Sequence, residues 1–298
     1  MDIMKNSAIQ LHGNTFFPIA DFPVAVVPAG DREEHFGEEG YTYLPHFHDY
    51  HELVFIVSGS GIQHVDGKDY AVKAGDVFLI FGSSVHWFRA SRALKLYNIL
   101  FDPDALPLPL AQFRRIHGYE MIFRTEPQTR TPRNFQNHLR LASRHIPELE
   151  KLTVLLQETL ARNDEFSEAE GLSLLIRIIL YLARHYAPDT PGDTLLPQIS
   201  KVIARMEHEY AKPFRLEELA AFACTSPRNF SRQFRRITGD SPIDHLLKIR
   251  LRRAAGLLLA ESWSIAEIAD HCGFRDSNYF AKRFTREYGC APRVFRRK

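Results

Sequence analysis

The chain has 298 residues with ordinary hydrophobic and charged fractions, so it is long enough for two soluble domains. Residues 195–298 hold 20 Lys and Arg against 11 Asp and Glu, whereas residues 1–194 hold 18 against 25. This asymmetry indicates that the C-terminal part of the chain binds a polyanion and that the N-terminal part does not. The cysteine spacing suggests neither a disulfide framework nor a zinc finger, and no secretory signal or membrane span is visible. We therefore expect a cytoplasmic protein.

Short β-rich runs broken by turn residues occupy residues 41–101. The predicted strands are Glu52–Ser58, His64-Val65, Tyr70–Lys73, Val77–Phe81 and Leu96–Phe101, with turns at residues 59–61, 66–67 and 74–76. Asp66-Gly67 between two such runs is a strong signal for a tight β-hairpin. Strands with this regular spacing predict a small β-barrel or sandwich.

Helical periodicity begins after Pro147, and a second helix is predicted from about Ser167 to Tyr186. The first of these helices carries an apolar stripe made of Leu149, Leu152, Leu156 and Leu160. Such a stripe indicates either self-association, most simply as a homodimer, or packing inside the same domain. Both interpretations stay open.

The predicted domain borders follow from these changes of pattern. Residues 1–147 form the first domain, residues 148–187 a helical dimerisation or connecting region, and residues 188–197 a proline-rich linker. Residues 198–298 are helical in period throughout. The fold class is therefore an N-terminal all-β barrel followed by helices, and a C-terminal all-α domain.

The C-terminal half repeats itself. Leu219-Ala220, Cys224, Phe230, Phe234, Gly239 and Pro242 have counterparts in Ile268-Ala269, Gly273, Phe280, Phe284, Gly289 and Pro292. Each copy predicts a short helix, a tight turn and a second helix, which is a helix-turn-helix unit, at about residues 216–237 and 264–287. The phenylalanines, at helical spacing, are predicted to form the core of each unit.

The opposite faces of the second helices are polar and basic. They carry Arg228, Ser231, Arg232, Arg235 and Arg236 in the first unit, and Asn278, Lys282, Arg283 and Arg286 in the second. Reading bases in the major groove requires such donor-rich faces. Residues 244–260 predict a continuous spacer helix, with Arg250 and Arg253 available outward, that holds the units about one turn of DNA apart, roughly 34 Å.

Residues 199–297 resemble the DNA-binding domain of the AraC/XylS family of transcription regulators, most clearly over Ser264–Arg296. The resemblance implies seven helices, of which the third and sixth enter successive major grooves of double-stranded DNA, and it implies RNA polymerase as a partner. The base-reading positions that it implies here are Arg228, Ser231, Arg232, Ser277, Asn278 and Lys282. Cys224 departs from the family pattern, in which a glycine is usual in the first turn.

A second motif, His46-Phe-His48-x3-Glu52, lies in the β-rich half. On one strand His46 and His48 share a face and Glu52 stands at an even offset, so His86 from a neighbouring strand can meet them. The set resembles the cupin pattern of three histidines and one glutamate around a metal.

Three interpretations of this histidine–glutamate set stay open. It is a divalent metal site for Fe, Mn, Ni or Zn, or it hydrogen-bonds a small polyol directly without any required cofactor, or it is a satisfied polar network. The aromatic residues Tyr41, Tyr43, Phe55, Trp87 and Tyr97 suit a monosaccharide as effector, with Tyr43 and Trp87 taken as binding residues. The segments His46–Gly61 and Tyr97–Phe101 resemble the rhamnose-responsive members of the family, which implies an effector such as L-rhamnose.

Together these patterns predict a transcription activator controlled by a small molecule, and not an enzyme. The rival is a cupin metalloenzyme, an isomerase or dioxygenase, with a DNA-binding appendage. Phe81 and Ser83 stand where the cupin pattern has proline and glycine, which argues against the rival. A constitutive architectural DNA-binder would not need the barrel.

Overall fold

The structure, a computed structural model, describes residues 8–30, 44–125, 139–185 and 195–297. The chain divides into two compact units. The first contains Met1–Phe113 and Met121–Gly192, and the second contains Arg114–Glu120 and Asp193–Lys298. The sequence patterns place Arg114–Glu120 in the first domain, and this short excursion into the second unit is a feature that they do not indicate.

The first unit is built on a curled sheet of eight described strands. They are β1 (Ile9–Leu11), β2 (Val24–Gly30), β3 (His46–His48), β4 (His51–Val65), β5 (Lys68–Lys73), β6 (Asp76–Ile80), β7 (His86–Phe101) and β8 (Leu139–Arg140). The order is β1-β3-β7-β4-β6-β8, with β2 also paired to β7 and β5 to β4. Every pair is antiparallel except β1 with β3.

The inner face of this sheet holds an apolar cluster that includes Val54, Ile56, Phe78 and Phe88. Successive side chains of a strand point to opposite faces, so Glu52, two residues before Val54, faces the same interior. The β-structure predicted for the N-terminal part of the chain is confirmed.

The strands β4 and β7 are longer than the sequence patterns predict. The hairpin at Asp66-Gly67 is confirmed, with Val65 opposite Lys68 and both turn residues at positive φ. The predicted turn at residues 59–61 is wrong, because β4 continues through it with register shifts against β7. Gly59 has φ +77°, and a Cβ there would lie 2.2 Å from the Ala93 carbonyl oxygen, so glycine serves here to bend a bulged strand.

Two short helices follow the long strand β7, namely α1 (Leu110–Phe113) and α2 (His117–Tyr119). Two longer helices, α3 (Ile146–Arg162) and α4 (Ser167–His185), form an antiparallel pair in the first unit. The stripe of four leucines on α3 is fully enclosed, each side chain being at most 4% exposed. It therefore belongs to the core of the first unit and is not available as a dimer interface.

The second unit is helical. Besides α2 it contains α5 (Leu196–His208), α6 (Leu216–Phe222), α7 (Pro227–Thr238), α8 (Pro242–Ala260), α9 (Ile265–His271), α10 (Ser277–Tyr288) and α11 (Pro292–Phe295). Helix α5 begins inside the range predicted as linker, of which residues 188–194 lie outside the described ranges. No helix in the described part of the chain is both long and apolar enough to cross a membrane.

The two helix-turn-helix turns have the same hydrogen bonds, although one contains cysteine where the other has glycine. Thr225 N–H donates to the Ala220 carbonyl at 3.0 Å, and Phe274 N–H donates to the Ala269 carbonyl at 2.9 Å. Cys224 and Gly273 occupy the left-handed position, at φ +53° and +80°. Both turns are Schellman motifs, so the first unit keeps the geometry of the second.

Candidate DNA-binding surface and effector site

The second helix of the first unit, α7, is fixed at both ends and along one side. Ser226 caps it by accepting a hydrogen bond from Asn229 N–H, and Pro227 occupies the first turn. Phe230 and Phe234 are completely buried, as predicted. The opposite face therefore points outward.

The predicted base-reading residues of α7 lie on this outward face. Arg228 and Arg232 are exposed and Ser231 is half-buried. Arg232 Nη2 donates to Asn229 Oδ1 at 2.8 Å, and Asn229 Nδ2 donates to Thr225 Oγ1 at 2.9 Å. This chain of hydrogen bonds orients the Arg232 side chain. Asn229 is not among the residues predicted from the sequence, although its spacing of three residues from Arg232 is the helical signal for such a pair.

Helix α10 is the counterpart in the second unit. Asp276 caps it by accepting hydrogen bonds from Asn278 and Tyr279 N–H. Ser277, Asn278 and Lys282 are all exposed. The predicted residues of both recognition helices are thus accessible to a ligand as large as DNA.

The spacer helix α8 is continuous as predicted, but its arginines are committed to the protein. Arg250 donates to three backbone carbonyls, those of Tyr210, Lys212 and Gly273, at 2.8–2.9 Å. Arg253 pairs with the fully buried Glu207 at 3.4 Å. The expectation that both arginines are available outward is wrong. Arg250 is hydrogen-bonded to carbonyl groups of its own domain, and Arg253 is paired with a carboxylate of that domain.

The four polar residues of the cupin-like motif meet inside the barrel. Glu52 Oε2 lies 3.0 Å from His48 Nε2 and 2.9 Å from His86 Nε2. His46 stands directly opposite His86 in the pairing of β3 with β7, with the two ring centroids 4.2 Å apart. All four residues are at most 6% exposed. The structure therefore brings together the whole set that the spacing predicts.

The hydrogen bonds place positive charge at this cluster. The Nδ1 atoms of His46, His48 and His86 each lie 2.8–3.0 Å from a backbone carbonyl oxygen, which only accepts, so Nδ1 carries the proton. The Nε2 atoms of His48 and His86 also face an acceptor, the Glu52 carboxylate. Either a proton or a metal cation therefore lies between each of these Nε2 atoms and the carboxylate.

Burial and charge shift the pKa values within the cluster. Burial favours a raised pKa for Glu52, but the charge of His86 and hydrogen bonds from His48 and His86 outweigh it, so the Glu52 pKa lies well below its usual range. Burial, then the charge of His86, lowers the pKa of His46 to about 4. His46 is therefore neutral, and no hydrogen bond joins its Nε2 lone pair to another described residue.

The donor set also fits a divalent transition metal. One ligand atom each from His46, Glu52 and His86 lies within 4.8 Å of the others, and imidazole and carboxylate suit Fe, Mn, Ni or Zn. The backbone carbonyls that hold each Nδ1 are the outer partners that metal-binding histidines usually have.

The aromatic residues expected around the effector are not gathered at the cluster. Trp87 follows His86 on β7, so it lies on the opposite face, where it stacks on His64 with ring centroids 3.9 Å apart. Phe55 and Tyr97 are paired across β4 and β7, at odd offsets from Glu52 and its partner Leu100. They too lie on the face of the sheet opposite the cluster, where both are buried. Tyr41 and Tyr43 lie outside the described residues.

A basic unit with two outward-facing recognition helices, joined to a barrel with an enclosed polar cluster, defines a DNA-binding regulator with a sensor domain. Residues 219–298 match the family described as "Helix-turn-helix domain", and residues 34–175 match the family described as "AraC-like ligand binding domain". The chain therefore combines an AraC-like ligand-binding domain with an AraC-like helix-turn-helix domain.

Relatives similar over nearly the whole chain are transcription regulators. The HTH-type transcriptional activator RhaS of Escherichia fergusonii is 28% identical over 288 residues, which is 96% of each chain. The HTH-type transcriptional activator RhaR of Klebsiella pneumoniae is 29% identical over 294 residues, which is 98% of each chain. Among solved structures, the DNA-binding domain of AdpA in complex with a target DNA is 34% identical, with a TM-score of 0.32, over 33% of this chain and 89% of that one.

Proposed function

We propose that this protein activates transcription when a small polyhydroxylated molecule binds in its barrel. The observation that carries the proposal is that one chain holds two capped, outward-facing recognition helices and, in its other unit, a buried cluster of polar groups with an available imidazole lone pair. The similar proteins RhaS and RhaR, which are named as activators, support the direction of control.

At DNA, α7 and α10 enter successive major grooves. Arg228 and Arg232 suit the N7 and O6 acceptors of guanine, and Asn278 suits the edge of adenine. Lys282 contributes a point charge for a base edge or a phosphate. A homodimer would present this pair of helices twice, and RNA polymerase is the partner through which bound protein activates.

In the barrel, the effector's hydroxyl groups hydrogen-bond to His46, His48, Glu52 and His86. The resemblance to rhamnose-responsive members makes L-rhamnose the first sugar to test. If a metal is resident, His46, Glu52 and His86 hold it, and it supplies a Lewis acid to which hydroxyl oxygens coordinate. A regulator needs only binding there, and the protein's own groups fix the orientation of the sugar.

The test uses the full chain. A DNA site is first selected from a random pool, and its affinity is then measured with and without L-rhamnose and other sugars. We expect a selected site with two half-sites about one helical turn apart, and an effector-dependent change in affinity of about 5- to 150-fold. Glu52→Gln should abolish the response and leave the basal DNA affinity unchanged, because Glu52 lies in the other unit.

The matched control is Glu158→Gln, which makes the same chemical change on the exposed side of α3. It should respond like the wild type. Loss of the sugar response after chelation, with recovery on adding metal, would assign the cluster to a metal site. Either of two results contradicts the proposal. The selection yields no DNA site, or it yields a site whose affinity for the protein is not altered by any sugar.

A further inference from the structure

The β4–β5 hairpin presents a second polar group to the barrel interior, beside the histidine–glutamate cluster. Gln63 is paired with Tyr70 on β5 and Phe88 on β7, and Phe88 belongs to the interior apolar cluster. Residues paired across strands share a face, so Gln63 points inward. Lys68 stands two residues before Tyr70 on the same strand and therefore faces inward as well.

Both side chains end in buried atoms for which the described residues supply no hydrogen-bond partner. Gln63 is 1% exposed, and its Oε1 has no hydrogen-bond donor within the described part of the chain. Lys68 Nζ is shielded from solvent and likewise has no acceptor there. Unpaired buried polar groups are rare and costly in folded proteins, and the interior of a sensor domain is where a ligand would satisfy them.

Within the described ranges, the carboxylates near the hairpin are bonded to other groups and form no ion pair with Lys68. Asp66 accepts a hydrogen bond from Val85 N–H, and Asp69, on the outer face, pairs with His64 and Arg89. Glu52 is bonded to two histidines of the cluster. The loss of hydration lowers the pKa of Lys68.

Lys68 and the cluster belong to one row across the sheet. Lys68 pairs with Val65, Val65 with His86, and His86 with His46. Strands lie about 4.8 Å apart, so the Cα atoms of Lys68 and His86 are separated by about 10 Å. A single six-carbon sugar acid is long enough to place hydroxyl groups at the cluster and its carboxylate at the lysine.

We propose that the effector is a sugar acid, whose carboxylate pairs with Lys68 and whose hydroxyl donates to Gln63 Oε1. This inference rests on the proposed function, because it names the chemical class of the molecule that the barrel senses. An ammonium group whose nitrogen is shielded from water binds a carboxylate more strongly than it binds a neutral hydroxyl group, because both partners of the hydrogen bond are then charged. The site therefore discriminates in favour of the acid over the sugar with the same hydroxyl groups.

Calorimetry on the full chain tests the inference with matched pairs: L-rhamnose and L-rhamnonate, D-galactose and D-galacturonate, D-glucose and D-gluconate. We expect at least one acid to bind about tenfold or more tightly than its neutral partner. Lys68→Met should remove that preference, because it lowers the affinity for the acids much more than the affinity for the neutral sugars. Lys73→Met, which removes an exposed lysine from the outer face of the same strand, should bind like the wild type.

Thermal unfolding without ligand provides a readout that does not depend on the ligand panel. Lys68→Met should raise the midpoint, since it replaces an ammonium group that has no partner among the described residues with an apolar side chain of similar length. A lowered midpoint would show that Lys68 has a structural partner and would overturn the inference.

Two further outcomes separate this inference from the proposed function. Neutral sugars that bind as tightly as their acids, with Lys68→Met unaffected, overturn the acid effector and leave a sugar-responsive regulator. If no member of the panel binds, the sugar effector itself fails and the inference fails with it.

Discussion

Gly273 and Cys224 occupy equivalent left-handed positions in the two helix-turn-helix turns, so exchanging side chains there should have opposite effects. We predict that Gly273→Ala destabilises the second unit and that Cys224→Gly stabilises it. Cys224→Ala, which keeps a Cβ at φ +53°, is the matched control. Because Cys224 is exposed, its replacement by alanine removes little packing.

The magnitudes follow from three contributions. A Cβ at a left-handed position costs about 1–2 kcal/mol, and the smaller entropy of unfolded alanine returns about 0.4–1 kcal/mol. A Cβ on residue 273 would also lie 2.4 Å from the Ala211 carbonyl oxygen, and relieving such a clash by moving the backbone costs about 1–3 kcal/mol. Gly273→Ala should therefore lower the free energy of unfolding of the second unit by about 2–4 kcal/mol. Cys224→Gly should raise the free energy of unfolding by about 0.5–1 kcal/mol, because it removes a Cβ from the left-handed position but relieves no clash. Cys224→Ala should have a free energy of unfolding within about 0.5 kcal/mol of the wild type.

The two tryptophans allow each unit to be followed separately. Trp263 lies in the second unit with its ring 5.0 Å from the ring of His271, and Trp87 lies in the first. In a Trp87→Phe background, fluorescence during urea unfolding reports the second unit, and linear extrapolation yields its free energy of unfolding. Equal, small effects of Gly273→Ala and Cys224→Ala would refute the reasoning, because they would show that neither turn requires the left-handed conformation.

Three other predictions address binding and assembly. Arg232→Ala should weaken binding to the selected DNA site by about 1–3 kcal/mol, and an equal loss on random DNA, measured by fluorescence anisotropy, would make it a phosphate contact only. The fragment Leu195–Lys298 should fold alone and bind DNA with strongly salt-dependent affinity, and a folded fragment without affinity at low salt would contradict the domain assignment. Replacing Leu152 and Leu156 with aspartate should unfold the first unit, since both are buried; a folded monomer in sedimentation would instead identify an interface.

Features decided by a few neighbouring residues could be predicted from the sequence. The Asp66-Gly67 hairpin, the Ser226 cap with Pro227 behind it, and the Ser264–Glu267 capping box each depend on contacts within four residues. The histidine–glutamate cluster was also predictable, because alternation along β3 and one pairing with β7 bring its members to the same face.

Features that depend on distant partners could not be predicted in this way. Gly59 reads as a turn residue, and only the Ala93 carbonyl on β7 shows why the strand bulges there. Arg250 reads as an exposed cation, but its acceptors lie 23 to 40 residues away. Trp87 resembles a sugar-binding aromatic, and its position on the outer face becomes evident only from the register of β4 and β7.

The three carbonyls bound by Arg250 have a consequence for the DNA rather than for the protein. Tyr210 and Lys212 precede the first helix-turn-helix unit and Gly273 lies in the turn of the second, so the distance between the recognition helices cannot change without breaking these bonds. In the proposed complex, the DNA must therefore twist or bend to bring two successive major grooves to the spacing of the recognition helices. The free energy of this deformation depends on how readily the base steps twist and bend. Base pairs that no side chain touches, between the two half-sites, should therefore influence which promoters this protein occupies.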